Sequence, residues 1–254
     1  MNQAKQAVLI YINKPRLSIL VRLIIHMKKP LDRRASPVTE RYLEFIYLMA
    51  VEGQPIIGAR LAKSLHVSRP SVTTTLQRMV RDGLVKLNLR KEIQLTAKGQ
   101  SLAEYLQRRH CIIERWLTEE LGLSWEESDA QAHLLEHAMS DQVAESLNLH
   151  LGSPTTCPHG NPVPGNAPAV SPGKAMQLSR VAEGVRVQVV RISEYDADVA
   201  ELLNYLGKRN IKPGMTLTVE EIAPFKGPLT LKVDSQLISM SRQVAEFVWV
   251  KKAD

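Results

Sequence analysis

The chain has 254 residues, 44% hydrophobic and 23% charged, which suits one large or two ordinary globular domains and excludes a disordered or fibrous chain. Its two cysteines, Cys111 and Cys157, exclude a disulfide framework and point to a reducing compartment, the cytoplasm. The net charge of +7 is uneven: residues 1–36 carry +7, 37–99 carry +5, 100–150 carry −7 and 151–254 carry +2. A basic half suited to a polyanion thus precedes an acidic segment suited to cations.

The opening stretch AVLIYINKPRLSILVRLIIHM is apolar but broken by Lys14, Pro15, Arg16 and Arg22, so it is too short a run for a membrane span. It also lacks the small-residue cleavage site of a signal peptide. Residues 1–36 read as a basic extension, with Met27 as an alternative start; an amphipathic membrane-binding or DNA-contacting arm is the less favoured reading. ERYLEFIYLMAVEG then places Tyr42, Phe45, Ile46 and Met49 on one helical stripe closed by Gly53. IIGARLAKSLHV gives a second short helix with Ile57, Leu61 and Leu65 in register. SRPSVTTTLQRMVRDGLV gives a third, with Ser68 as N-cap, Pro70 in the first turn and Val72, Leu76, Met79 and Val80 as its apolar stripe. The alternation Val85, Leu87, Leu89, then Ile93 and Leu95 predicts a β-hairpin.

Helix, helix, tight turn, helix and hairpin make a winged helix-turn-helix over residues 37–99. The outer face of its third helix, Ser68, Arg69, Pro70, Ser71, Thr73, Thr74 and Gln77, is short, polar and free of negative charge. Such a face can enter a major groove and read base edges or phosphates. Residues 100–150 follow as two helices, the second written WEESDAQAHLLEHAMSDQVAESLNLHL and opened by a Ser124/Glu127 capping box. Six prolines and four glycines between Gly152 and Gly173 leave no room for a helix or central strand, so 151–177 reads as a linker before a smaller domain at 178–252.

The acidic segment concentrates candidate metal donors. His110 and Glu114 are one turn apart on its first helix; Asp129, His133, Glu136 and His137 share a face on the second. Imidazole plus carboxylate is a ligand set for Mn²⁺, Fe²⁺, Co²⁺ or Zn²⁺. Each residue alone has a plain reading as a surface pair or a helix-end charge; their convergence on adjacent helices favours a site. Cys111 reads as packing, and Cys157 and His159 are set aside because a flexible loop is a poor platform for coordination. HLLEH also fits the H-x-x-E-H pattern of inverted zinc proteases, a five-residue match with no room nearby for a substrate cleft.

SRPSVTTTLQRMVRDGLV, RRHCIIERWL, LLEHAMSDQV and HGNPVPG together resemble the DtxR/MntR family of metal-dependent transcriptional repressors, closely over residues 37–165. VRVQVVRIS and GMTLTVEEIAPFKGPLTLKVDSQLISMS look like the family's SH3-like, FeoA-type domain. The resemblance implies a mainly α N-terminal part, a winged helix-turn-helix followed by a helical metal-binding and dimerisation domain, and a small SH3-like β-barrel at the C-terminus. It implies a non-enzymatic homodimer, without a membrane partner, that binds palindromic double-stranded DNA when Mn²⁺ or Fe²⁺ is held and so regulates metal-homeostasis genes. By position, Glu136 and His137 match primary-site ligands, and His110 and Glu114 match the ancillary site of iron-type members. His133 falls where iron-type members have Cys and manganese-type members Glu, Asp129 where an ancillary His is expected, and Glu44 on a manganese-type carboxylate. Asp198 or Glu201 would supply the carboxylate of the C-terminal domain. Arg41 occupies the place of a first-helix ligand, which a guanidinium cannot be. Nitrogen and oxygen donors without cysteine lean towards Mn²⁺, though Zn²⁺ or Co²⁺ would also bind. A winged-helix dimer answering to a small organic molecule, as in MarR-type regulators, is the competing reading.

Overall fold

The computed structural model describes residues 35–53, 55–167, 175–196 and 198–253; the expected basic extension therefore lies almost wholly outside the described residues. Helix α1 (Pro37–Val51) starts at Ser36, whose hydroxyl accepts from the Thr39 amide, and has Pro37 at its first position. Tyr42, Phe45, Ile46 and Met49 are all buried, as their spacing predicts. Helix α2 (Gly58–Ser64) and helix α3 (Arg69–Arg81) flank a turn in which His66 adopts φ +53°. The Ser68 hydroxyl caps α3 by accepting from the Ser71 amide at 3.2 Å. Two details depart from the periodic pattern: Ile57 and Val80 are exposed, because each helix buries a narrower stripe than its apolar residues allow.

Strands β1 (Val85–Leu87) and β2 (Ile93–Leu95) pair antiparallel, and Leu89 stands fully exposed at the tip between them. The base of this wing rests on helix α4 (Ala97–Glu119) at Gly99, where a Cβ would lie 1.9 Å from the Leu84 carbonyl oxygen. Only glycine permits that approach.

The second acidic helix is not continuous. It is broken into α5 (Trp125–Leu135) and α6 (Asp141–His150), with Glu136 as the C-cap of the first and Ser140 as the N-cap of the second. Arg109, buried on α4, explains the break: Nη1 donates to the carbonyls of Glu136 (3.0 Å) and Met139, and Nη2 pairs with Asp141 Oδ1 at 2.5 Å. A guanidinium that takes those carbonyls replaces the amides that would have continued the helix.

The Pro/Gly stretch departs most from expectation. Up to Ala167 it is a folded loop with Cys157, His159, Asn161 and Val163 all buried. Arg115 Nη1 donates to the Thr156 carbonyl (2.7 Å), and Arg108 Nη1 donates to the carbonyl of Pro164 (2.9 Å) and to Asn166 Oδ1 (2.6 Å). Pro/Gly density excludes a ladder but not burial, provided other groups satisfy the backbone.

The C-terminal part holds β3 (Met176–Gln177), a 3₁₀ turn (Leu178–Arg180), β4 (Arg186–Ile192), α7 (Val199–Lys208), β5 (Thr216–Ile222), β6 (Leu229–Val233), β7 (Gln236–Met240), α8 (Arg242–Ala245) and β8 (Val248–Lys252). The strands form one antiparallel sheet in the order β3-β8-β4-β5-β6-β7, closed over Val187, Val189, Leu217, Leu231 and Val250 with Leu203 and Leu206 of α7. The loop at 157–161 lies against the end of β4: the Ile192 amide donates to the His159 carbonyl (2.9 Å), and Asn161 Nδ2 donates to the Ile192 carbonyl (2.7 Å).

Gly160 sits there at φ +83°, where a Cβ would be 2.3 Å from the Val190 carbonyl oxygen, whereas Gly53 at φ +68° faces open space. Gly160→Ala should therefore cost more than about 2 kcal/mol, the left-handed strain of about 1–3 kcal/mol plus a backbone clash. Gly53→Ala should cost the conformational strain alone, about 1–2 kcal/mol. Chemical denaturation of both variants measures the difference.

Candidate metal centre and DNA-reading face

Five segments deliver donors to one buried region. Helix α4 contributes His110 and Glu114, one turn apart and both buried. Helix α5 contributes Asp129, His133 and, at its cap, Glu136; α1 contributes Glu44. The loop after α6 contributes Cys157 and His159, and the residue two beyond the end of β4 is Glu194.

The side chains fall into two adjoining groups. In the closed group, donor atoms of Glu114, Cys157, His159 and Glu194 lie within 4.8 Å of one another and all four residues are buried. His159 Nδ1 is 3.0 Å from Glu114 Oε1 and closer still to Glu194 Oε1, while Cys157 Sγ is 3.9 Å from Glu194 Oε1. Trp125 meets the His159 ring edge-on at 4.6 Å and closes that side. The open group is built on His110, Asp129 and His133, and on Glu44, His133 and Glu136, with the same 4.8 Å limit. Its distances are 3.1 Å from His110 Nδ1 to Glu136, 3.4 Å from His110 Nε2 to Asp129 and 3.6 Å from His133 Nδ1 to Glu136. This group lines a cavity of about 440 Å³, and Glu194 reaches it from the closed group.

Both oxygens of Glu114, Glu136 Oε1 and both ring nitrogens of His159 are buried without an aligned hydrogen-bond partner, even where an opposite charge is close. Hard carboxylate oxygens, imidazoles and one thiol converging with lone pairs unengaged fit a divalent transition metal. The electrostatics agree. Burial, reinforced by the charge of Glu136, pushes Glu44 up to about 8. Burial also opposes ionisation of Glu136, but the His110 hydrogen bond and the nearby His133 imidazole outweigh it and hold that carboxyl at about 2. For His110 and His159 burial favours the neutral ring, yet the surrounding carboxylates win and raise both well above the usual imidazole value.

Most expected donors thus meet: Glu44, His110, Glu114, Asp129, His133 and Glu136. His137, past the end of α5, lines the same cavity and pairs with Glu40 Oε2 (3.1 Å) and Glu136 Oε1 (3.3 Å), without sharing the tight donor clusters. Glu201 is exposed in the first turn of α7, away from both donor groups, and the carboxylate from the C-terminal part that lies in the closed group is Glu194. Asp198 pairs instead with His66 at 3.6 Å. Cys157 and His159 were discounted as linker residues, although a Cys and a His two apart beside a glycine were a legible donor signal. With Cys157 in the closed group, the premise of a cysteine-free donor set fails. Arg41 lines the cavity from α1 with its guanidinium 5.8 Å from the Phe45 ring.

The DNA-reading face is as expected in exposure: Ser68, Arg69, Pro70, Ser71, Thr73, Thr74 and Gln77 are all solvent-facing. Thr73 Oγ1 donates to the Arg69 carbonyl at 3.1 Å, and the Ser68 and Ser71 hydroxyls are 2.8 Å apart. Arg69, Thr74 and Gln77 therefore keep the freest polar groups.

A winged helix joined to a buried, donor-rich metal cavity defines a metal-responsive DNA-binding regulator. The chain matches the family models described as the iron-dependent repressor N-terminal DNA-binding domain (residues 35–93), the iron-dependent repressor metal-binding and dimerisation domain (96–165) and the FeoA domain (176–252). It is 34% identical over 224 residues to the iron-dependent repressor IdeR of Mycobacterium leprae (strain TN), covering 84% of this chain and 96% of the relative. It is 31% identical over 221 residues to the diphtheria toxin repressor of Corynebacterium diphtheriae, covering 84% and 96%. A solved manganese-dependent transcriptional repressor in complex with manganese superposes with a TM-score of 0.73 at 29% identity, covering 85% of this chain and all of that one. The chain belongs to the iron-dependent repressor family, the DtxR/MntR group of metal-dependent transcriptional repressors.

Burial raises Glu44 to about 8, and the surrounding carboxylates raise His110 and His159 above the usual imidazole value, so a bound cation must displace protons. Protons compete with the metal, so affinity for Mn²⁺ should rise as pH rises towards 8 and each binding event should release protons. Calorimetric titration in buffers of different ionisation heat measures the release; heats independent of buffer would contradict it.

Proposed function

We propose that this chain is a cytoplasmic, Mn²⁺- or Fe²⁺-activated repressor of metal-homeostasis genes that binds a palindromic operator as a homodimer. The observation that carries the reading is the convergence of α1, α4, α5, the 157–161 loop and Glu194 on clustered donors, with both Glu114 oxygens, Glu136 Oε1 and both His159 nitrogens buried without an aligned hydrogen-bond partner. Glu114, Cys157, His159 and Glu194 would hold one ion; His110, Asp129, His133, Glu136 and Glu44 would hold a second. The metal supplies positive charge and directional bonds at a point shared by these segments. Glu44 then ties α1, and with it the winged helix, to the dimerisation helices. Leu134, Val143 and Leu149, exposed on α5 and α6, supply apolar surface for the second copy. Ser68, Arg69, Pro70, Ser71, Thr73, Thr74 and Gln77 would face the major groove.

The protease reading loses its base. Glu136 is buried, engaged by two imidazoles and held at about 2, so it has little capacity to take a proton at neutral pH. Against an organic effector, the cavity's lining sets five carboxylates and three imidazoles beside its apolar side, formed by Pro37, Phe45, Leu48, Val199 and Ala200. No helix among the described residues is long and apolar enough to cross a membrane.

A gel-shift titration of DNA selected from a random pool, run with Mn²⁺, Fe²⁺, Zn²⁺, Co²⁺ and chelator, tests the switch. A nearly complete switch needs about 10⁴-fold preference of metal for the DNA-competent state. Specific DNA binding indifferent to every metal and to chelator would overturn the proposal. At the closed group, Glu194→Ala should weaken cation binding by at least about 10–100-fold, the loss typical even of outer-shell partners. Glu201→Ala should leave it unchanged, as equilibrium dialysis would record.

A further inference from the structure

Resting on the metal-switch reading above, we propose that residues 191–196 are a coupling strap between the cation centre and the DNA-reading domain, with Glu52 as the positioning residue that receives it. The segment continues past the end of β4, and its alternate side chains meet opposite partners. Ile192 is buried in the core, and Glu194 turns to Cys157 and His159 in the closed donor group. Arg191, Ser193 and Tyr195 turn the other way, onto the winged helix.

The grip there is specific. Arg191 Nη1 donates to Glu52 Oε1 at 2.8 Å, and Ser193 Oγ donates to the same oxygen at 2.7 Å. Trp249 backs both: its Nε1 donates to Ser193 Oγ at 2.8 Å, and its ring centre lies 4.4 Å from the Arg191 guanidinium carbon. One residue beyond Glu194, the Tyr195 ring lies 5.3 Å from the Arg60 guanidinium of α2. Asp196 is 3.8 Å from His66, in the turn that leads into α3. The strap thus touches the end of α1, α2 and the turn before the recognition helix.

Glu52 is the sharpest of these contacts. It is the C-cap of α1, where the helix dipole disfavours negative charge, and it is buried. A carboxylate in that place needs a cation, and Arg191 reaches it. A buried pair of this kind ties two surfaces together in one register, because loss of either partner leaves the other charge uncompensated. Glu194 lies only three residues from Arg191 and one from Ser193. A metal that fixes the Glu194 carboxylate therefore fixes the groups that hold Glu52, and the C-terminal domain transmits occupancy to α2 and α3 by a route separate from Glu44.

Hydrogen exchange of the full chain with and without Mn²⁺ tests this, paired with Mn²⁺ uptake by dialysis, in the wild type and in Glu52→Gln and Ser193→Ala. Ser193→Ala removes one small hydroxyl and serves if Glu52→Gln folds poorly. In the wild type, Mn²⁺ should slow exchange across residues 58–81 by about 5–150-fold, the usual span of allosteric coupling, and the variants should keep uptake but lose most of that slowing. Equal slowing in wild type and variants, or uptake by the wild type with no change at 58–81, would overturn the strap. Loss of uptake in both variants would also overturn it, since the pair would then only support the donor group. No uptake by the wild type would instead defeat the metal-switch reading itself.

Discussion

Glu114 has both carboxylate oxygens shut off from water and is faced by His159 on one side and His110 on the other. A carboxylate so placed is costly unless something positive shares its space. Around it stand Glu194, Asp129, Glu136 and Glu44, and the fully buried histidines of the described donor groups are His110 and His159. Much of the rest of the molecule can be understood as the means of holding these acids together. Arginines on α4 serve this from behind: Arg109 fixes the carbonyl of Glu136, and Arg115 fixes that of Thr156, next to Cys157. Neither guanidinium enters the donor groups. Each spends its charge on backbone carbonyls and outer carboxylates such as Asp141 and Glu119, and so leaves the inner acids for a cation.

The protonation pattern changes the account of how a metal-free chain could be mobile. From composition alone, bare carboxylates repelling one another would be the cause. In the structure the imidazoles are raised and Glu44 is raised to about 8, so charge is already partly balanced by protons. A neutral Glu44 gives α1 little electrostatic reason to stay at the site or to leave it. The metal contributes by exchanging diffuse, replaceable protons for directional bonds that several segments share.

Legibility in the sequence followed the locality of each signal. The winged helix was readable because caps, stripes and turn glycines are all local, and Ser68, Tyr42 and Gly53 do what their neighbours predict. His110 with Glu114 and His133 with Glu136 were readable for the same reason, as pairs on one helix. The break after Leu135 was harder: its immediate cause is Arg109, on a different helix, although Ser140 before Asp141 was an available cap signal. Cys157, His159 and Glu194 depend on distant chain. The 157–161 loop becomes rigid only through Arg108, Arg115 and the edge of β4, and nothing in its own Pro/Gly composition carries that information. The resemblance pointed to Asp198 or Glu201, and no local pattern marks Glu194, just past the end of a strand.

Arg41 is best understood through that division of labour. Relatives of this chain are expected to place a donor there, and a guanidinium removes one bond from the open group. Two features compensate. Glu44, one turn along α1, lies within donor distance of His133 and Glu136, so the helix still has a carboxylate to offer. Arg191 and Ser193 independently hold α1 at its far end through Glu52. If Glu44 joins the proposed cation site while Glu52 is held by the C-terminal domain, the helix is located at two points two turns apart. Two points fix a rod's direction as one cannot. A direct ligand at position 41 is then dispensable, provided the C-terminal domain stays docked, and a regulator with this substitution must depend on that domain more heavily than one with a full set of first-helix ligands.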